Sequence, residues 1–254
     1  MSVIFSDSII KPFHSGEVEI NISQTIFNKD IFIFHRINKP VNSSIFEVLL
    51  VALKCRDLGV KSLSLILPYL PYSRCDKSSL KDIYQLFKSV GIQQIITADI
   101  HSNTEDISIQ NINIASNIIR KCEMDLNEKI IVSPDKGGYM RAKKVAEEFK
   151  CEFICMEKIR SPEGISHTLN YNVANRNIII VDDIIDTGQT ILSSADLLIK
   201  MGARSVEVVA THLLTSKELD GVAAVYVSNS IKHRSLSDKY KVVNIDKILL
   251  DYVS

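Results

Sequence analysis

The chain has 254 residues, 46% of them hydrophobic and 24% charged, a composition that suits one large α/β domain or two small ones and excludes a disordered chain. Thirty basic residues balance thirty acidic ones, so no global field draws the protein to nucleic acid or an anionic membrane, and any phosphate binding must be local. No apolar run approaches a membrane span, the start Met1-Ser2-Val3-Ile4-Phe5-Ser6-Asp7 lacks a basic region followed by a long hydrophobic stretch, and the five cysteines form no Cys-x-x-Cys pair. A cytoplasmic protein with reduced, structural thiols is therefore expected.

In chain order, the alternation of Glu17 to Ile22 and the run Ile31-Phe32-Ile33-Phe34 predict a half-buried and a fully buried strand. Ser44 followed by Glu47 has the spacing of a capping box, and the helix it predicts runs from Ile45 to Leu58 with Gly59 as its stop. Strands follow at Ser62 to Leu67 and Ile92 to Ala98, with a helix near Leu80 to Ser89 between them. The rhythm begins again beyond Ile112: helix Ala115 to Glu123, strand Lys129 to Val132, helix Tyr139 to Phe149 and strand Glu152 to Met156. A long strand from Asn177 with its helix, a strand Ser205 to Ala210, and a last strand and helix near Val242 to Tyr252 complete the series. Alternating strands and helices argue for parallel sheets, and the element count is too high for one compact sheet. The expected organisation is two similar α/β domains, residues 1–112 and 113–241, with residues 242–254 available to pack on the first.

Function is written most plainly in Ile178-Ile179-Ile180-Val181-Asp182-Asp183-Ile184-Ile185-Asp186-Thr187-Gly188-Gln189-Thr190. Its uninterrupted β-favouring start predicts an inner strand of a parallel sheet, and ligands of such sheets sit beyond the carboxyl ends of the strands. Asp186, Thr187, Gly188, Gln189 and Thr190 offer successive backbone N–H groups and two hydroxyls at the start of a helix with the apolar stripe Ile191, Ala195, Leu198, a turn suited to a phosphate. Asp182 and Asp183 repel an anion but accept hydrogen bonds from vicinal hydroxyls or hold Mg²⁺ through water. In the first half, Leu67-Pro68-Tyr69-Leu70-Pro71-Tyr72-Ser73-Arg74-Cys75-Asp76-Lys77 closes a buried strand with two stiffening prolines and cations fit for a polyphosphate. Each segment taken singly also suits a plainer role: solvated aspartates and a capping threonine in one, a helix entry capped by Asp76 or Ser78 in the other.

Taken together, Val-Asp-Asp-x-x-Asp-Thr-Gly-x-Thr resembles the ribose 5-phosphate loop shared by phosphoribosyltransferases and ribose-phosphate pyrophosphokinases. The Pro-Tyr segment resembles the ATP-contacting Pro-Tyr-x-x-Tyr-x-Arg-Gln-Asp-Lys of the pyrophosphokinases. Further matches fall in the same order: Phe13-His14-Ser15-Gly16-Glu17 with the family's adenine loop, which reaches a neighbouring subunit, Thr97-Ala98-Asp99-Ile100-His101-Ser102 with its Asp-Leu-His, and Val132-Ser133-Pro134-Asp135-Lys136-Gly137-Gly138 with its Ser-Pro-Asp-x-Gly-Gly. Lys158 and Arg160 match the Lys-x-Arg at the base of the family's mobile catalytic loop.

The resemblance implies two phosphoribosyltransferase-like domains and transfer of the diphosphoryl group of ATP to the 1-hydroxyl of ribose 5-phosphate, giving 5-phosphoribosyl 1-diphosphate and AMP. It places Asp186 to Thr190 at the 5-phosphate, Asp182 and Asp183 at the ribose hydroxyls, Phe13, Glu17, Arg74, Asp76 and Lys77 at ATP, His101 and Asp135 at Mg²⁺, and Lys158 and Arg160, with Arg74 and His101, at the migrating group. It also implies a homo-oligomer, at least a dimer. The chain is shorter than usual for the family: Ser6 to Pro12 cannot form a helix of useful length, and after Lys77 most of a loop used in allosteric control is absent, which removes the ground for regulation by ADP and phosphate. Ser15 stands for an aspartate, Cys75 for a glutamine and Gln189 for a glycine. The first two changes remove polar contacts to a nucleotide, so a non-catalytic regulatory homologue and a phosphoribosyltransferase remain alternative readings.

Overall fold

Aliphatic runs that leave no polar face to water have to be covered on both sides, and in this chain they form two parallel sheets. A computed structural model describes residues 2–22, 25–38, 40–102, 108–162, 164–233 and 235–253, with the side chains of Lys77, Arg160 and Ser161 outside the description. The expected α/β class is borne out. The chain divides into two units, Met1–Ile112 with Ser230–Lys232 and Asp246–Ser254, and Asn113–Asn229 with His233–Ile245.

The first unit contains β1 (Ser2–Phe5), a hairpin of β2 (Ile10–Pro12) and β3 (Val18–Ile20), β4 (Asp30–Phe34), α1 (Val41–Asp57), β5 (Ser62–Leu67), α2 (Lys77–Ser89), β6 (Gln94–Ala98) and β7 (Ile109–Ile112). Its sheet runs β1-β4-β5-β6-β7, with every neighbouring pair parallel. Ile33, Leu65, Ile66 and Leu67 are fully buried, and Val48, Val51, Ala52 and Cys55 of α1 supply a covering face. Between β1 and β2 there is only a single 3₁₀ turn, Ser6–Ser8, as the short, helix-poor sequence predicts. The strand expected at Glu17 to Ile22 is a short hairpin arm outside the main sheet.

The second unit contains α3 (Ala115–Lys121), β8 (Lys129–Ser133), α4 (Tyr139–Phe149), β9 (Glu152–Cys155), a hairpin of β10 (Glu157–Ser161) and β11 (Gly164–Thr168), β12 (Asn177–Ile185), α5 (Gln189–Lys200), β13 (Ser205–Leu213), β14 (Ala224–Ser228) and β15 (Tyr240–Val243). Its six strands run β15-β14-β13-β12-β8-β9, again all parallel. β12 is longer than the apolar run suggests, because β13 keeps pairing with it through Ile184 to His212 and Ile185 to Leu213. Asp182 and Asp183 thus lie within the strand rather than beyond its end. A last helix, α6 (Asp246–Asp251), packs on β6 of the first unit, and its Asp246 pairs with Arg36 just after β4. Among the described residues no helix is long and apolar enough to cross a membrane, and all five cysteines are free.

The expected capping box is not formed. Pro40 is the N-cap of α1 and makes no side-chain cap, because Ser44 is committed elsewhere: its hydroxyl accepts from the Asn38 amide at 3.0 Å and lies 2.7 Å from His35 Nε2. The other ring nitrogen, Nδ1, lies 2.7 Å from Ser6 Oγ. His35 is wholly buried, its amide bonds the Ile66 carbonyl at 3.0 Å, and its ring joins the ends of β1 and β4 to the first turn of α1. Burial lowers its pKa from 6.5 to about 4 against the opposing pull of Asp7, so the ring is neutral, one nitrogen donating and the other accepting.

A histidine depressed in the folded state stabilises the fold above its unfolded pKa and loses that contribution as the pH falls through the folded one. Between pH 7 and pH 4 His35 is expected to withdraw about 3 kcal/mol of stability. Urea unfolding at both pH values measures this: His35→Gln should show a visibly shallower decline than wild type, and equal declines would contradict the assignment.

Candidate active site

In the second unit the candidate site lies at the carboxyl ends of β8 and β12, where a parallel sheet with short turns into helices presents free backbone amides. After β8, Ser133 Oγ donates to the Asp135 carbonyl at 2.7 Å, while Asp135 Oδ1 accepts from the amides of Gly137 (2.9 Å) and Gly138 (3.2 Å). The turn therefore closes on its own aspartate before α4 begins. A Cβ at Gly138 would stand 2.9 Å from Ser133 Oγ, which is why the second glycine is needed.

The other oxygen of Asp135 receives Lys158. The ammonium on β10 donates to Asp135 Oδ2 at 3.0 Å and to Thr190 Oγ1 at 2.9 Å, so one cation joins the turn after β8, the hairpin and the first turn of α5. Lys158 is only 11% exposed. Burial alone would push the Asp135 carboxyl up, but the Lys158 hydrogen bond and charge, with the two glycine amides, outweigh it and hold the group below the usual carboxylate range.

The loop Asp186 to Thr190 turns on Gly188, the N-cap of α5, at φ +80°. That left-handed conformation favours glycine, and an added Cβ would also stand 2.6 Å from Cδ2 of the buried Leu219. Thr187 and Gln189 are exposed, and the Thr187 hydroxyl accepts weakly from the Gln189 amide at 3.4 Å. Ile191, Ala195 and Leu198 anchor α5 in the core, as their spacing predicts, with Ser194 as a fourth buried residue.

Asp182 and Asp183 share the guanidinium of Arg141 on α4, at 3.9 Å and 3.6 Å. Burial and the neighbouring Asp183 charge push the Asp182 carboxyl well above the usual range, against the pull of Arg141. Two carboxylates beside one guanidinium do not readily ionise together, so a carboxyl raised in this way favours its protonated form until a cation or hydroxyl donors approach.

Two residues outside the expected set join this site. Arg141 follows the quoted Ser-Pro-Asp segment by three residues, but only the tertiary fold shows that it turns toward β12. His167 lies opposite Lys158 on the hairpin and contacts α5 through Ser193 Oγ (3.0 Å from Nδ1) and Ser194 Oγ (3.3 Å from Nε2).

In the first unit, the loop after β5 carries Arg74 and the loop after β6 carries His101. Ser102 Oγ donates to the Ser73 carbonyl at 2.6 Å and ties the two loops together. Tyr72 adopts φ +66°, and its hydroxyl donates to Asn42 of α1 at 2.7 Å. Asp99, almost fully buried, has φ +31°, so the backbone bends sharply just before the exposed His101. Asp76 is the N-cap of α2, accepting from the Ser79 amide (2.9 Å) and hydroxyl (3.0 Å). Phe13, half exposed, begins the turn of the β2–β3 hairpin. There Ser15 donates to Glu17 Oε2 at 2.7 Å, a bond that an ionised aspartate at this position could not make. The expected metal pair, His101 and Asp135, falls in different units, and the side chains of Lys77 and Arg160 lie outside the described residues.

Residues 97–244 match the family model of the phosphoribosyl transferase domain, and residues 2–91 that of the N-terminal domain of ribose phosphate pyrophosphokinase. The chain is similar to the ribose-phosphate pyrophosphokinase of Helicobacter pylori (strain J99), 31% identical over 98% of this chain and 84% of that one. Its likeness to the enzyme of the same name from Mycoplasma pneumoniae is 30% identity over 95% of this chain and 83% of that one. A crystal structure of phosphoribosylpyrophosphate synthetase from Mycobacterium smegmatis matches with a TM-score of 0.84 at 23% identity, covering 96% of this chain and 88% of that one, and shows the same fold.

Gly188→Ala is expected to lower the unfolding free energy by about 1–2 kcal/mol, from the left-handed backbone alone. Thermal or urea unfolding reads this directly, and an unchanged midpoint would mean that the turn does not require glycine.

Proposed function

The chain belongs to the ribose-phosphate pyrophosphokinase family, and from that premise we infer that it transfers the diphosphoryl group of ATP to the 1-hydroxyl of ribose 5-phosphate, giving 5-phosphoribosyl 1-diphosphate and AMP. The observation that carries the reading within the site is the Lys158 ammonium, held at Thr190 on the rim of the Asp186 to Thr190 loop and against Asp135. A cation fixed beside a phosphate-binding turn serves a reaction that needs charge neutralisation and in-line positioning more than covalent chemistry.

The anomeric oxygen attacks the β-phosphorus of ATP. The new bond joins that oxygen to the β-phosphorus while the bond from the β-phosphorus to the α,β-bridging oxygen breaks. AMP departs with the bridging oxygen, and the hydroxyl proton is lost to solvent. The amides and hydroxyls of Asp186 to Thr190 bind the 5-phosphate, and Asp182 and Asp183 accept from the ribose hydroxyls, with Arg141 keeping that buried acidic pair tolerable. Lys158 and Arg160 stabilise the migrating group. Arg74 and Lys77 hold the ATP phosphates, Phe13 and Glu17 the adenine, and His101 assists at the phosphates. Asp76 contributes by capping the helix that follows Arg74.

Mg²⁺ is the cofactor that this reading implies, and it supplies neutralisation of the phosphate oxygens. Among the described residues no group of three or more His, Cys, Asp or Glu side chains is placed to hold a metal ion, which fits an ion carried by substrate phosphates and water with one or two carboxylates. Asp182 and Asp183 are hard oxygen donors that suit such an ion, whose charge would favour the ionised form of the raised Asp182 carboxyl. Asp135 offers the same chemistry but already receives Lys158, and His101 is a softer donor than Mg²⁺ prefers. A homo-oligomer in the cytoplasm completes the proposal, with the exposed Phe13 hairpin available to a neighbouring subunit.

Purified protein with Mg²⁺, ATP and ribose 5-phosphate is expected to release AMP. Lys158→Ala should lower kcat by about a hundredfold or more while KM for ribose 5-phosphate moves only a few-fold. Release of ADP alone, or substrate binding without turnover, would overturn the reading.

A further inference from the structure

The β10–β11 hairpin that carries Lys158 is not part of the six-stranded sheet, and a lone two-stranded hairpin is at best marginally stable in water. Its fixed position therefore has to come from what it touches. Lys158 and His167 are directly opposed in its register, so their side chains share one face. That face meets α5 at consecutive turns: Lys158 reaches Thr190 Oγ1 at 2.9 Å, and His167 reaches Ser193 and Ser194. The imidazole is almost fully buried.

The two serines are themselves anchored in the helix. Ser193 Oγ donates to the Gln189 carbonyl at 2.7 Å, and Ser194 Oγ to the Thr190 carbonyl at 2.7 Å. The ring thus bonds to the residues that close the first turn of α5, immediately behind the phosphate loop. Burial and the Lys158 charge hold the His167 pKa below its ordinary value, while Asp135 and a hydrogen bond to the Pro134 backbone oppose them, so the group at neutral pH is the uncharged ring. An uncharged ring has a single N–H for the Pro134 carbonyl and the two serine oxygens, so its second nitrogen is hydrogen-bonded only where one serine turns its proton from the helix carbonyl to the ring.

We propose that His167 is a positioning residue: it fastens the hairpin to α5 at a second point, so that the Lys158 ammonium cannot swing away from Thr190 and Asp135. One contact is a pivot, whereas two contacts one helical turn apart fix both place and orientation. His167 touches neither substrate in this proposal and acts through Lys158. The catalytic consequence rests on the proposed diphosphoryl transfer, but the tether itself does not.

Three variants of the full chain test it: His167→Leu, which fills the volume without hydrogen bonds, His167→Gln, which restores a donor and an acceptor, and Ser194→Ala, which removes one partner. Amide hydrogen exchange in the absence of substrates should quicken about tenfold across residues 157–168 in His167→Leu, less in Ser194→Ala, with the strands of the six-stranded sheet unchanged. In turnover, His167→Leu should lower kcat about tenfold with KM for ribose 5-phosphate within about threefold, and His167→Gln should recover most of both losses. Unchanged hairpin exchange in His167→Leu overturns the proposal. So does a uniform rise in exchange through the whole unit, or a glutamine variant as impaired as the leucine one. A protected hairpin that loosens as described in a wild-type background releasing no AMP would uphold the tether and remove the assigned reaction.

Discussion

A lysine ammonium only 11% exposed is tolerable only where anionic or dipolar partners replace lost water. For Lys158 those partners are Asp135, 23 positions before it, and Thr190, 32 positions after it. Three segments with no local reason to meet are therefore held to one point: the turn after β8, the hairpin and the start of α5. Each is prepared for the meeting. Asp135 is oriented by the amides of Gly137 and Gly138, Thr190 by its place in the first turn of α5, and Lys158 by a hairpin that His167 ties to the next turn of the same helix.

The acidic side of the site follows a different logic. β12 does not stop where its apolar run stops, because β13 continues to pair with it, and the extension draws Asp182 largely and Asp183 almost wholly out of solvent beside Arg141. Burial and mutual repulsion disfavour two negative charges there together, and both raise the Asp182 carboxyl. The loop Asp186 to Thr190, by contrast, owes its shape to the backbone, where Gly188 allows the turn. A buried acidic pair and a glycine turn thus follow each other within nine residues of sequence, Asp182 to Thr190.

Much of the fold was legible because buried parallel strands advertise themselves. The run Ile178 to Val181 has no polar break, Ser62 to Leu67 is interrupted only by the small Ser64, and the helix Tyr139–Phe149 has clear limits. What stayed hidden was short or contingent. The hairpin β10–β11 has Pro162 and Gly164 at its tip and reads as a loop, and β7 and β14 have four and five residues, too few for a periodic signal. The Ser44 and Glu47 pattern was a sound local signal, overridden because a buried His35 needed the serine. In the site, the continuous loop Asp186 to Thr190 could be read from spacing alone. The ion pairs of Lys158 and Arg141, and the contacts of His167, depend on residues brought together only by tertiary structure, and no spacing rule exposes them.

Lys158 and Asp135, joined at 3.0 Å, work as a unit rather than as two separate cationic and acidic contributions. A double-mutant cycle on turnover, with Lys158→Met, Asp135→Asn and the pair together, measures this most directly. A working unit predicts that the double variant is little worse than the more damaged single one, a coupling of about tenfold or more. Independent, multiplicative losses in kcat would contradict it and would leave the contact between these two residues a feature of the fold without consequence for the chemistry.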